Sequence, residues 1–232
     1  MICAPVATAA LVGCLLKPSA GSGGGGGGGG GDGGDGGSGS SSSTCSNPMP
    51  IDPFTNPPTL FCSGSAFAGG GNLTFYGSGA NGATCTWMLP SIGNGALVEV
   101  ESLATSGAAG FIAIPDLAVV VMGQQEHSIE LLASPNAPTF SVEIDHLPSP
   151  VTSVAPEPLW LLLAAPDDHT LSARYTTAFD PDLSSWMPLA DIPISVGART
   201  FNASVSLELR GAGTQNGSST VVFGMFDYCP GN

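Results

Sequence analysis

The sequence predicts an all-β protein, an antiparallel β-sandwich or jelly-roll-like domain, and three observations carry that expectation. After Cys62, apolar residues repeat with a period of two in many short segments, as in strands with one face in a core and one in water. No stretch sustains a 3.6-residue apolar period, the mark of an amphipathic helix. The 34 glycines and 20 prolines also interrupt the chain too often for long helices.

The alternation is clearest over residues 200–210. Phe201, Ala203, Val205, Leu207 and Leu209 fall on one face there, with Asn202, Ser204, Ser206, Glu208 and Arg210 on the other. Residues 211–218 read as a polar loop, and 220–229, rich in Val, Phe and Tyr, as the return strand of a hairpin. Further strands are expected over 73–76, 84–89, 97–103, 111–114, 117–122, 128–132 and 139–145, the last repeating the alternation through Phe140, Val142 and Ile144. Residues 147–158 carry four prolines, which disfavour helix and sheet interior alike. That segment is a candidate boundary between two small β subdomains. Beyond it, 159–164 is a continuous apolar run, as in a strand buried on both faces, and 169–177 alternates again.

Ahead of this β region the composition changes. Residues 17–44 are almost entirely Gly and Ser, with an unbroken glycine run over 23–31. Such a segment buries too little apolar surface to offset the entropy of ordering it, and as a random coil it would span roughly 30 Å. A phosphate-cradling role needs a preceding strand, a following helix and a lysine in the loop, and none is present. Residues 2–12 are apolar but shorter than the roughly 20 residues of a membrane-spanning helix, and they suit the core of a secretory signal. No Lys or Arg lies between Met1 and Cys14.

The apolar stretch closes on Leu11-Val12-Gly13-Cys14. This tetrapeptide resembles the lipobox of bacterial secretory lipoproteins, with an aliphatic residue three positions before the cysteine and a small one immediately before it. The resemblance implies a signal peptide over 1–13, cleavage before Cys14 and acylation of that residue, with 14–44 as lipidated cysteine and linker and 45–232 as the folded region. Two or more acyl chains anchor stably to a bilayer. Leu15 after the cysteine, in place of Asp, implies the outer membrane, facing either the periplasm or the cell surface.

Six cysteines are present; Cys3 belongs to the signal and Cys14 to the lipobox, and four remain. An even number in an exported chain implies disulfides, with three connectivities open. The expected pairs are Cys62 with Cys85 and Cys45 with Cys229, the second joining the ends of the folded region. No C-x-x-C pair and no neighbouring histidine argues for a metal site at these thiols.

The net charge of -14 comes from 18 acidic residues against four basic ones. Phosphate neutralisation drives nucleic-acid affinity, so DNA and RNA are excluded as partners, whereas cations and basic partners fit. A calcium loop is the sharpest metal candidate. Asp180, Asp182 and Ser184 place oxygens at alternate positions, with Asp191 where the last ligand of such a loop falls. Ser185 stands where the loop needs glycine, and Pro181 and Pro188 lie inside it. A solvated turn opened by Asp-Pro is the competing reading.

His127, His146 and His169 each neighbour an acid, namely Glu126, Asp145 and Asp168. Adjacent residues of a strand face opposite ways, so adjacency makes no catalytic dyad, and no G-x-S-x-G elbow is present to anchor a serine triad. Sequons occur at Asn72, Asn202 and Asn216. In an exported bacterial protein they are polar strand and turn residues. Around Cys85-Thr86-Trp87, preceded by a glycine-rich stretch and followed by a Val and Glu strand, the chain resembles the Cys-x-Trp element of CUB domains, extracellular β-sandwich binding modules. The likeness spans about 62–145. It lacks the second cysteine pair and the Asp-Gly calcium element of many CUB domains, and Trp87 also reads as core filling beside a disulfide.

The expectation is therefore a surface-anchored lipoprotein, held to the bilayer through acylated Cys14, that presents a β-sandwich binding or envelope-structural module to a protein or glycan. The competing class is a secreted or surface hydrolase on the same scaffold, with no cofactor apart from the candidate calcium ion.

Overall fold

A computed structural model describes residues 45, 47–55, 62–108, 110–121, 124–135, 137–145, 147–148, 158–195, 199, 202–212 and 216–230. The lipobox, the Gly and Ser segment, His146 and residues 149–157 lie outside the described residues.

The fold is an antiparallel β-sandwich of jelly-roll-like form. Its strands are β1 (Met49–Pro50), β2 (Cys62–Gly69), β3 (Asn72–Ser78), β4 (Ala83–Leu89), β5 (Gly95–Gly107), β6 (Ile112–Val121), β7 (Glu126–Ser134), β8 (Ala137–Ile144), β9 (Leu147–Pro148), β10 (Leu159–Asp167), β11 (Thr170–Thr176), β12 (Met187–Pro193), β13 (Ala203–Ala212) and β14 (Gly217–Cys229). The first sheet runs β12-β11-β10-β5-β14-β3-β2 and the second β2-β4-β13-β6-β7-β8-β9, with β1 paired to β14. Strands on both sides of 149–157 join one hydrogen-bonded network, since β10 pairs with β5.

Strand β2 belongs to both layers. Cys62, Ser63 and Gly64 pair with β4, and residues 65–69 pair with β3. The change of partner falls at Gly64, which has φ +81° and faces the Gly82 carbonyl oxygen so closely that any Cβ would collide with it. Only glycine meets both demands.

Alternation supplies the core. Ala203, Val205, Leu207 and Leu209 of β13 are buried against Leu73 and Phe75 of β3, Val98 and Val100 of β5 and Val221 and Phe223 of β14, in one apolar cluster drawn from both sheets. Trp87 of β4 and Phe226 of β14 meet across the layers with ring centroids 4.8 Å apart. The Trp87 indole N–H donates to Asp52 Oδ2 at 2.9 Å, satisfying its one polar atom. The disulfide Cys62–Cys85 ties β2 to β4, and Cys45–Cys229 joins the start of the described chain to the end of β14.

Residues 159–164 are buried on both faces, as the continuous apolar run requires. The inner face of β10 packs into the main core. Its outer face, Trp160, Leu162 and Ala164, lies with Leu183 and Trp186 in a second cluster. Two features differ from the sequence expectation. Strands β13 and β14 form no hairpin: β13 pairs with β4 and β6, β14 with β3 and β5, and the chain crosses between layers. Residues 111–114 and 117–122 are one strand, β6, whose ladder to β7 lapses between Ala113 and Asp116, around Pro115, which has no N–H to give.

Candidate functional site

The outer face of the first sheet carries the most distinctive surface. Phe67 on β2 stands opposite Thr74 on β3, and Thr74 opposite Val222 on β14. One row away, Tyr76 stands opposite Ser65 and Thr220. Opposed residues share a face, so Phe67 and Tyr76 are diagonal neighbours on it. They are 61% and 51% exposed, although inner-facing Leu73 and Phe75 beside them are fully buried. The Phe67 ring lies back along its own strand, with Cε1 3.1 Å from where a Cβ on Gly69 would stand. An open groove of about 610 Å³, lined among others by Ser65, Tyr76, Ser78 and Asn81, continues past the tyrosine.

Two irregularities then aim acids at the same face. Between the pairs Val222↔Ser102 and Phe223↔Val100, Glu101 is the extra residue of β5. Between Phe223↔Val100 and Phe226↔Val98, Gly224 and Met225 of β14 oppose Glu99 alone. Bulges of this kind re-aim side chains. A Cβ on Gly224 would stand 2.7 Å from Glu99 Oε2 and 2.9 Å from Glu101 Oε1, so both carboxylates close over the gap that glycine leaves. Asn72, opposite Gly69, donates through Nδ2 to Glu101 Oε2 at 2.8 Å and links the aromatic end to the acidic end. Burial raises the Glu99 pKa, and the neighbouring Glu101 charge adds to this, against a hydrogen bond from the Met225 N–H. Asp227, further along β14, is likewise raised by burial.

No cation among the described residues offsets this pair. Arg174 donates to Ser172 Oγ and the Leu183 carbonyl, Arg199 to the Ala165 carbonyl, and Arg210 to acids of the other sheet. Chemically, the face offers flat apolar rings, an amide and two adjoining carboxylates, one of them biased toward its protonated form.

The sequence candidates fall elsewhere. Asp180, Asp182 and Ser184 lie in one turn, where Asp180 Oδ1 accepts the Asp182 N–H at 2.9 Å. Asp182 Oδ1 accepts the Ser184 N–H and hydroxyl at 3.0 and 2.7 Å. Those Ser184 bonds hold the Asp182 pKa below its usual value. The turn also fixes Trp186, whose indole N–H donates to the Asp180 carbonyl at 2.9 Å. Trp186 meets Phe179, and Phe179 meets Trp160 with centroids 5.1 Å apart, so this loop covers the outer face of β10 next to Glu99. Asp191 stands on β12 opposite Ser172. Among the described residues no three His, Cys, Asp or Glu side chains gather where a metal ion could be held.

Of the histidines, His127 does meet an acid, but not its sequence neighbour Glu126. Its Nδ1 lies 2.8 Å from Asp145 Oδ2, while Asp145 Oδ1 accepts the Ser128 N–H at 2.9 Å. Among the described residues no serine hydroxyl is bonded to that imidazole. The His169 backbone N–H donates to Asp167 Oδ1 at 2.7 Å.

On the outer face of the second sheet, Glu208, Asp116 and Glu130 stand in one row across β13, β6 and β7. Arg210 Nη2 reaches Asp116 at 3.1 Å and Glu130 at 2.5 Å. Asp116 Oδ1 is buried without a hydrogen-bond partner. Burial, and then the Glu208 charge, push the Asp116 pKa to about 8 despite Arg210.

The two disulfides fit an exported protein, and no helix among the described residues is long and apolar enough to cross a membrane. No family model matches the chain, and no curated protein matches it. Solved structures do resemble it. The CBM2 module of the Lactobacillus casei BL23 phage J-1 evolved Dit is 10% identical, with 70% of this chain and 80% of that one covered and a TM-score of 0.41. The Bacillus licheniformis β-glucanase is 9% identical, with 75% and 96% covered and a TM-score of 0.39. The κ-carrageenase of Pseudoalteromonas carrageenovora, in complex with an oligotetrasaccharide of κ-carrageenan, is 9% identical, with 76% and 92% covered and a TM-score of 0.37. Likenesses at this level carry nothing about ligand or reaction.

Proposed function

We propose that the chain is an envelope-anchored binding module that takes a glycan on the outer face of its first sheet. The observation that carries this reading is the exposed pair Phe67 and Tyr76 beside Asn72 and Glu101. An aromatic ring left in water forgoes burial worth about 2 kcal/mol. Two such rings on one face, next to hydrogen-bonding groups, are what a ligand with an apolar face and a hydroxyl rim requires. A sugar ring has that form. Anchoring follows from the lipobox at Cys14, with the Gly and Ser segment as spacer.

Affinity electrophoresis of the purified chain through gels containing neutral, cationic and anionic polysaccharides tests the binding. At least one polysaccharide retards the chain, and Phe67→Ala with Tyr76→Ala abolishes the retardation without lowering the melting temperature. Unchanged retardation in that variant overturns the assignment of the face. For the anchor, Cys14→Ser moves the protein from envelope to soluble fraction; a variant still found in the envelope rejects lipidation.

A second reading, hydrolysis of a glycosidic bond, is favoured by one observation. Glu99 and Glu101 adjoin, with the Glu99 pKa raised above its ordinary value by burial, and two neighbouring carboxyl groups of which one holds its proton more tightly are the pair that glycoside cleavage uses. Release of reducing ends from a retained polysaccharide, lost in Glu101→Gln, supports it; intact polysaccharide after prolonged incubation rejects it.

A further inference from the structure

We propose that the ligand of this face is a polycationic amino-sugar polymer carrying free amines, one ammonium group seated between Glu99 and Glu101 while a neighbouring sugar ring rests on Phe67. The inference builds on the glycan-binding reading and names the class of glycan.

Charge complementarity carries it. The two carboxylates close over the single gap at Gly224, each within 3 Å of the same point. Among the described residues the donors to the pair are the Asn72 amide, 2.8 Å from Glu101, and the Met225 N–H at Glu99, and both are neutral. All three described arginines are bound to other partners, and the chain as a whole carries a net charge of -14. Two acids held side by side without a cation repel each other; the Glu99 pKa is raised chiefly by burial, and the Glu101 charge adds to it. A ligand ammonium relieves the repulsion and donates three hydrogen bonds into the gap. A neutral sugar supplies the hydrogen bonds alone, and a uronate or sulfated sugar adds a further repulsion.

The geometry also fits a chain-like ligand. Phe67 lies over Gly69, Gly69 stands opposite Asn72, and Asn72 bridges to Glu101. An aromatic platform and the acid pair are thus consecutive along one line across β2, β3, β14 and β5, as needed for adjoining residues of one oligomer. The Trp160 ring beyond Glu99 is covered by its loop and closes that end.

Titration calorimetry of the full chain with a β-1,4-linked glucosamine hexamer, its N-acetylated counterpart and a uronate hexamer, at about pH 6 where the amines are charged, tests this. The free-amine hexamer is expected to bind at least about tenfold tighter than the acetylated one, with an affinity that falls as salt rises, and the uronate hexamer not to bind. In Glu99→Gln with Glu101→Gln the two glucosamine forms become equal. Phe67→Ala weakens both alike. Equal affinity of the wild-type chain for both forms, or a preference that survives the double Gln variant, overturns the amine assignment while leaving glycan binding in place. Binding of none of the three, with no retardation by any polysaccharide in the electrophoresis above, overturns both.

Discussion

Asp116 and Arg210 are paired through one oxygen only. Arg210 Nη2 stands 3.1 Å from Asp116 Oδ2, while Asp116 Oδ1 is buried with no partner. Glu208 and Glu130, the cross-strand neighbours of Asp116, share the same guanidinium, so one cation serves three acids.

The first prediction concerns pH. Asp116 keeps its proton in the folded chain up to about pH 8, whereas the unfolded chain releases it near its ordinary value of about 4. Between these limits the folded state binds more protons, so its contribution to stability is full below the lower limit and is lost as pH rises toward the upper one. Asp116→Asn removes that loss. Urea unfolding at about pH 9 is expected to show the variant more stable than wild type by on the order of 2 kcal/mol, with the difference vanishing at about pH 4. A pH-independent difference overturns the assignment.

Trp87 spans the layers and spends its only donor on Asp52, whose other oxygen accepts the Phe54 N–H at 2.8 Å. Trp87→Ala is expected to cost about 3–5 kcal/mol in chemical denaturation. Trp87→Phe, which keeps a ring but strands Asp52 Oδ2, costs about 1–2 kcal/mol.

The turn at Asp182 is expected to behave as a cap. Asp182→Ala removes both Ser184 hydrogen bonds and is expected to lower the melting temperature slightly. Thermal scans with and without a calcium chelator are expected to coincide for wild type and variant. A chelator-dependent melting temperature in wild type alone supports the calcium loop.

The long disulfide closes a sequence separation of 184 residues. In the chain-entropy picture, loss of this cross-link through Cys45→Ser with Cys229→Ser destabilises by about 4–5 kcal/mol. Denaturant midpoints under non-reducing conditions measure it, and an unshifted midpoint rejects it.

Much of the fold is legible in the sequence because burial on one face of a strand writes itself as alternation, which is why β13 and the apolar β10 stand out. Alternation tells which face is inside but not which strand lies alongside. The last two strands therefore read as a hairpin although they occupy different layers. Strand β2, Cys-Ser-Gly-Ser-Ala-Phe-Ala-Gly, has small residues where the pattern needs bulky ones. Strand β12 hides behind Pro188 and Pro193, which an edge strand paired to β11 alone tolerates.

The candidate site was less legible for the same reason. Glu99 and Glu101 read as ordinary outward positions of β5, and only the register against β14 shows that two bulges bring them over Gly224. The exposure of Phe67 depends on what its neighbours leave uncovered. Likewise His127 finds Asp145 across the β7 and β8 pairing, a partner 18 residues away that no local motif could have named.

The cross-link between Cys45 and Cys229 also decides how mechanical load enters the domain. Among the described residues the two-residue β1 is the only strand ahead of β2, and it would unzip first if tension were passed along the backbone. The bond routes a pull arriving from the N-terminal side through sulfur into the end of β14, a strand held on its flanks by β5 and β3. A load entering there meets the ladders of β14 to β3 and β5, many more hydrogen bonds than the two residue pairs that hold β1.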